Sequence, residues 1–274
     1  MFERSDTVLL AGDVSDFSAP VGRLDLCIHA ATDVGTVGAA PDYRQLFDTI
    51  VGGTRRVLDL AQASGVSRVL IASSGAVYGT QPPDLERVDE RFTGASDPVH
   101  VPSAYGNGKR AAEAFACTVA AQSGMSVAIA RIFALLGPGM PLDGPFAAGN
   151  FIRDVLAGRP MSIQGDGRPV RSYLYAADLV VWLLRILESG TSGQAYNVGS
   201  EDPISIRDLA LEIARAAATA PALDIVQNDV AKSLAPRYVP NTAKARQTLQ
   251  LAQYTDLSAA LLKTIQWSRS AMTL

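Results

Sequence analysis

Long hydrophobic runs are missing from this chain of 274 residues. No stretch approaches the ~20 apolar residues that a membrane-spanning helix requires. The opening, MFERSDTVLLAGDVSD, holds an apolar run of only four residues, far short of a secretory leader, so the expected compartment is the cytoplasm. Cysteine and histidine are scarce. Cys27 and Cys117 lie far apart in apolar segments and read as buried thiols of a cytosolic protein, not a disulfide. With only His29 and His100 besides, a zinc site is not expected. An excess of positive charge is missing too: the net charge is −3 and the pI near 5.4, which gives no general attraction for nucleic acid or an anionic membrane. A local arginine cluster could still hold a phosphate. Repeats and low-complexity segments are also absent.

What is present is an alternation of apolar, β-rich runs with helical patterns. TVLLAG (7–12), LDLCIHA (24–30), RVLIASS (68–74) and SVAIARIFALL (126–136) read as strands. YRQLFDTIVGGTRRVLDLAQA (43–63) and a segment from about 104 to 122 read as helices between them. Strands without polar alternation, separated by helices, belong to a parallel sheet covered on both faces. After the turn-rich GPGMPLDGP (137–145) come a helix near 147–157, an extended RSYLY (171–175), a helix over about 176–189 and a short strand AYNVG (195–199). Ser205 with Asp208 can cap a helix through LALEIARAAA, and a further strand is expected near 223–227. The fold class is α/β, a doubly wound parallel sheet with a smaller carboxyl-terminal lobe.

The stretch SAYGNGKRAAE (103–113) places Tyr105 and Lys109 one turn apart on one face of a helix, with Gly106 and Gly108 between them. Each glycine inside a helix costs roughly 1 kcal/mol against alanine, and bare backbone there suggests the approach of a flat ligand. A tyrosine working as a base near neutral pH needs its pKa lowered by about 3 units, and an ammonium about 4 Å away supplies an interaction of that size. A lone Tyr-x-x-x-Lys is more often a surface pair with a snorkelling lysine. SSGAVYG (73–79) follows the strand RVLIA, so Ser74 sits at the carboxyl end of a parallel strand, where open α/β sheets bind ligands. Taken alone, Ser74 is as readily a turn serine. IHAAT (28–32) ends another strand in small residues that let a cofactor approach, with His29 more often structural by itself.

In order, GDVSD, HAA, VGGTRRVLDLA, SSGAVYG, AYGNGK, ARIFALLGPG, GDGRPVRSYLYAADL and YNVGS resemble the extended short-chain dehydrogenase/reductase family, in its NAD-dependent epimerase/dehydratase branch. The resemblance runs from about residue 7 to the carboxyl end. It implies a Rossmann-like fold, an oxidoreductase or isomerase chemistry on a nucleotide-diphosphate sugar, and NAD or NADP as cofactor. It makes Tyr105 the catalytic acid/base, has Lys109 hold the nicotinamide ribose and tune the tyrosine, and has Ser74 orient the reacting hydroxyl. It places Asp13 at the adenine and His29, Ala30 and Ala31 along the cofactor. Arg171 matches the pyrophosphate-binding arginine and Arg237, in PRYVPN, a second; a guanidinium suits a diphosphate because its hydrogen bonds are forked and charged. The implied division is a cofactor domain over 1–138, with 171–199 returning to it, and a substrate lobe over 139–170 and 200–274. The resemblance also implies a homodimer through a four-helix bundle. The helices at 43–63 and 104–122 carry apolar residues on more faces than one sheet contact needs.

Departures from the family pattern narrow the reaction. Dehydratases of the branch read S-T-D-E-V-Y-G and the decarboxylases keep the glutamate; here those two positions are Gly75 and Ala76, which move no proton. Epimerisation through a transient ketone, or reduction of a keto-sugar, remains. Ile50 and Ala134 stand where the family often has asparagine, and Asn150 is the candidate to replace the second as a substrate contact. The family's opening strand, G-x-x-G-x-x-G turn and helix, which hold the pyrophosphate, have no counterpart; GTVGAAP (35–41) ends in proline and reads as a loop. The fold is therefore expected without its first βαβ unit, with TVLLAG either closed up beside LDLCIHA or displaced, and with impaired cofactor binding. Two readings stand: an enzyme that has lost its amino end, or a family member that binds a nucleotide sugar or a partner without catalysis.

Overall fold

Burial on both faces explains the central strands. The computed structural model describes residues 7–18, 20, 22–32, 42–220, 222–226 and 235–271. In chain order these form β1 (Leu26–His29), α1 (Tyr43–Ala63), β2 (Arg68–Ser74), α2 (Ala104–Ser123), β3 (Ser126–Ile132), β4 (Leu135–Leu136), α3 (Ala147–Leu156), β5 (Met161–Gln164), β6 (Val170–Arg171), β7 (Leu174–Tyr175), α4 (Ala176–Ser189) and β8 (Ala195–Val198). Then follow β9 (Ile204–Ser205), α5 (Ile206–Ala216), β10 (Leu223–Val226), β11 (Arg237–Tyr238), α6 (Ala243–Leu249) and α7 (Leu257–Ala271). The main sheet is parallel, in the order β1-β2-β3-β8. Along β2 and β3, Val69, Ile71, Val127 and Ile129 pack with α1 and α2, while Leu70, Ala128 and Ala130 pack with α4. That alternation is the period-2 geometry of a strand between two helical layers. No helix among the described residues is long and apolar enough to cross a membrane.

A second apolar core gathers Leu136, Phe151, Ile152, Met161, Ile163, Leu209, Ile213, Leu261 and Ile265 from α3, α5, α7 and the strands beside them. Ser205 caps α5 by accepting from the Asp208 N–H at 3.0 Å, as its spacing predicts. The extended RSYLY divides into β6, which joins the sheet β11-β6-β9, and β7, which pairs with β4. Parallel pairing of β11 with β6 sets Tyr238 beside Arg171, and this is how the second half of the chain reaches the end of β2.

TVLLAG (7–12) is not a strand. It is displaced, with Val8, Leu9 and Leu10 exposed by 82%, 94% and 58%, and among the described residues β1 pairs only with β2. A β-prone sequence becomes a strand only where a neighbour takes up its N–H and C=O groups. Its exit, Asp13–Phe17, is instead anchored on α1, where Arg56 donates to the Phe17 carbonyl at 2.9 Å and Val14 packs over Gly53. GTVGAAP lies outside the described residues.

Candidate functional site

Two elements converge at the carboxyl end of β2. The strand runs into a 3-10 turn, Gly75–Tyr78, capped by Ser74, whose Oγ accepts from the Ala76 N–H at 3.2 Å. Against this turn lies the first turn of α2. A β-carbon on Gly106 would stand 2.7 Å from the Ala76 carbonyl oxygen, and one on Gly108 would meet Ile50 of α1 at 3.3 Å. The two glycines in SAYGNGKRAAE therefore serve the protein's own packing. They let α2 press against the turn that carries Ser74 and against α1, and the protein itself occupies the space assigned to a ligand on sequence grounds.

Lys109 is only 6% exposed. Its Nζ donates to Thr32 Oγ1 and to the Ala72 carbonyl, both at 2.8 Å, and lies 5.9 Å from the centre of the Tyr105 ring. Burial pushes the ammonium down to about 8, against an opposing pull from Glu113. Burial holds the Tyr105 phenol above its ordinary value, and Ser74 pulls the other way. Lys109 spends two of its N–H groups on oxygens of other elements.

His29, at the end of β1, is buried. Its Nε2 lies 3.0 Å from Thr54 Oγ1, and Thr54 donates its only hydroxyl hydrogen to the Ile50 carbonyl at 2.6 Å. Thr54 must therefore accept from His29, which fixes the neutral Nε2–H tautomer. Burial, and then the charge of Lys109, push this imidazole down to about 4. Ala30 and Ala31 follow, exposed, and Thr32 ends the described stretch.

Tyr238 was not among the residues singled out by sequence. Its Oη lies 3.5 Å from Ser74 Oγ, and burial pushes its phenol up to about 12. The guanidinium of Arg171 sits 5.8 Å from the Tyr238 ring centre, and its Nη1 donates to the Val170 carbonyl. A β-carbon on Gly75 would meet Phe133 Cζ at 2.6 Å and Tyr238 Oη at 2.7 Å. An open cavity of about 490 Å³, lined by Ala76, Tyr78, Ser96, His100, Ser103 and Tyr238, adjoins the group.

The structure thus brings together Ser74, Tyr105 and Lys109, with His29 behind the lysine and Arg171 reached through Tyr238. It does not gather the others. Asp13 accepts from the N–H and hydroxyl of Ser15 in an exposed turn. Asn150 accepts from Arg153, and Arg237 donates to the Glu86 carbonyl at 3.4 Å. A second cavity, about 450 Å³, lined by Arg87, Glu201, Thr242 and Arg246, shares no residue with the group.

Residues 7–199 match the model of the NAD dependent epimerase/dehydratase family. The chain is 29% identical over 257 residues to UDP-N-acetyl-alpha-D-glucosaminuronate decarboxylase of Bacillus cytotoxicus, covering 91% of this chain and 78% of that one. It is 31% identical over 221 residues to UDP-glucuronic acid decarboxylase 1 of Arabidopsis thaliana, covering 81% of this chain and 47% of the relative, so it spans about half the length of that relative. A solved structure of MoeE5 in complex with UDP-glucose and NAD superimposes with a TM-score of 0.81 at 25% identity, over 96% of this chain and 86% of the other.

Proposed function

Because this chain belongs to the NAD dependent epimerase/dehydratase family, we propose that it acts on a nucleotide-diphosphate sugar, with Ser74, Tyr105 and Lys109 as the reacting centre. The reaction is epimerisation through a transient ketone or reduction of a keto-sugar. The observation that carries this reading is the approach of α2 to the end of β2, with Gly106 against the Ala76 carbonyl, which brings Tyr105 to the turn that Ser74 caps, with a buried ammonium one turn away.

Each group has a proton role. Ser74 accepts from the Ala76 N–H, and its own hydrogen, within reach of the Tyr238 hydroxyl, can be turned to a substrate oxygen. Tyr105, protonated at neutral pH as an ordinary phenol is and held further that way by burial, is loaded as an acid for the oxygen of a ketone, and it takes the proton back in the reverse direction. Lys109 uses two N–H groups on Thr32 and Ala72, and the third is left for a ribose hydroxyl. A nicotinamide cofactor, when bound, supplies the hydride. Ala30 and Ala31 leave room beside the lysine. At the pyrophosphate the fit is poor, because the chain holds no G-x-x-G-x-x-G turn. We therefore infer weak binding of NAD or NADP by this chain. Arg171 has N–H groups to spare for the substrate diphosphate.

Relatives named decarboxylases set a competing reading. Against it, Ala76 stands at the position of the glutamate that the decarboxylases keep and moves no proton. A cofactor side over 1–138 and 171–199 and a sugar-nucleotide lobe over 139–170 and 200–274 fit most of the apolar clusters, although Leu136, Tyr173 and Tyr175 pack with the lobe and Ala245, Leu249 and Leu251 pack with the main sheet. A homodimer through α1 and α2 is supported by Gly52, mid-helix, with nothing within 4 Å of its missing β-carbon, and by Phe47 at 37% exposure. A glycine that weakens its helix by about 1 kcal/mol and meets nothing suits the close approach of another helix.

Isothermal titration of the full chain with UDP-glucose, NAD, NADH, NADP and NADPH tests the reading, together with NMR of the anomeric protons after incubation. Expected are sugar-nucleotide binding, weak dinucleotide binding, and slow conversion at saturating dinucleotide. Binding without any conversion favours a non-catalytic binder, and no sugar-nucleotide binding overturns the proposal.

A further inference from the structure

A polar row crosses the sheet just behind Ser74. Ser73 on β2, Arg131 on β3 and Asn197 on β8 are register partners, so their side chains project from one face of three adjacent strands. Glu113 of α2 comes down on this row. One carboxylate oxygen accepts from Ser73 Oγ at 2.6 Å, and the Arg131 guanidinium forks onto the carboxylate at 2.7 to 3.2 Å. Arg131 Nη1 donates to Tyr78 Oη at 2.9 Å, and Tyr78 donates to Asn197 Oδ1 at 2.8 Å. The Asn197 amide completes the row by donating to the Val88 and Asn241 carbonyls.

Stability alone does not call for this arrangement. Replacing a buried ion pair with well-packed apolar groups is often neutral or stabilising, and apolar cores already lie on both faces of the sheet. Apolar contacts tolerate sliding, whereas a forked ion pair with a shared hydroxyl has one geometry. Tyr105, Lys109 and Glu113 are spaced i, i+4, i+8 along one side of α2. Tying Glu113 to the residue before Ser74 therefore sets both the height and the rotation of the helix against the strand.

We propose that Glu113 is a positioning residue for the Ser74–Tyr105–Lys109 centre: through Ser73 and Arg131 it holds α2 on β2 so that Lys109 reaches Ala72 and Thr32 and Tyr105 reaches Ser74. What the centre does rests on the function proposed above, but its geometry can be tested without turnover. The groups facing Lys109 are His29 from β1, neutral at working pH, and Tyr105 and Glu113 on its own helix.

The two ways Glu113 can act on Lys109 have opposite signs. As a nearby negative charge it raises the lysine pKa, so its loss lowers it. As a positioning group it keeps the lysine buried, so its loss frees the lysine and the pKa climbs toward the ordinary value. The full chain has four lysines, so labelling their ε-carbons with carbon-13 gives a simple NMR titration, with Lys109→Arg identifying the signal. Ser73→Ala is the deciding variant, because it cuts the tie of Glu113 to β2 and removes no charge. Expected is an upward shift of Lys109 in Ser73→Ala and a larger one in Glu113→Gln, both folded by near-ultraviolet circular dichroism, with the lysine signal broadened or doubled. An unchanged Lys109 in Ser73→Ala overturns the proposal, as does a downward shift in a folded Glu113→Gln. If Glu113→Gln does not fold, Ser73→Ala decides alone. Failure of turnover with a normal Lys109 titration would count against the proposed function and leave the positioning intact.

Discussion

Tyr238 Oη lies 3.5 Å from Ser74 Oγ, across 164 residues of chain, and with Phe133 it closes the space beside Gly75. The pair explains at once why the turn after β2 carries a glycine and how the second half of the molecule enters the site. Gly75→Ala is expected to destabilise by about 1 to 3 kcal/mol through overpacking. In a urea titration the cost should fall in a Phe133→Leu background, because the Phe133 ring is the nearest obstacle. An undiminished cost there would show that the crowding lies elsewhere.

His29 makes stability depend on pH on the acid side. Its folded pKa is near 4 and its ordinary value 6.5. Between those values the unfolded chain binds the proton and the folded chain does not, so stability is full above 6.5 and is lost as pH falls toward 4. The total is of order 3 kcal/mol. His29→Asn should flatten this limb of the profile in chemical denaturation between those pH values. Nitrogen-15 NMR should find the proton on Nε2, and an Nδ1–H tautomer would contradict the role given to Thr54.

Tyr105→Phe separates chemistry from contact. General acid–base groups contribute typically ~10²- to 10⁴-fold to rate. Turnover of a sugar nucleotide is expected to fall by about that much, while affinity for UDP-glucose changes by less than about tenfold, or 1.4 kcal/mol. Equal losses in rate and binding would reduce the hydroxyl to a contact.

Gly52→Arg addresses the paired helices. The position is open in this chain, so the folded protomer should tolerate the arginine with no loss of secondary structure. If two copies pack through α1, sedimentation should change from dimer to monomer at micromolar concentration. A variant that remains dimeric places the interface on another face, and a monomeric parent removes it altogether.

Local pattern determined much of this protein. RVLIASS is a strand over Arg68–Ser74 and YRQLFDTIVGGTRRVLDLAQA a helix over Tyr43–Ala63, as their sequences predict, because unbroken apolar runs and 3.6-residue periods describe a chain's own backbone and the layers it must fit. The Ser205 cap and the Tyr105–Lys109 spacing were legible for the same reason, both being settled within one or two turns. What the sequence could not decide were relations between distant segments. TVLLAG has the composition of a strand, yet a strand exists only where a neighbour completes its hydrogen bonds, and none among the described residues does so. The two glycines of α2 face Ala76 and Ile50, which no count of helix propensity contains. Tyr238 comes to Ser74, and Thr32 to Lys109, because parallel registers and chain crossings put them there. The Tyr105 phenol stays above its ordinary pKa because burial, a property of the whole packed molecule, outweighs the pull of Ser74.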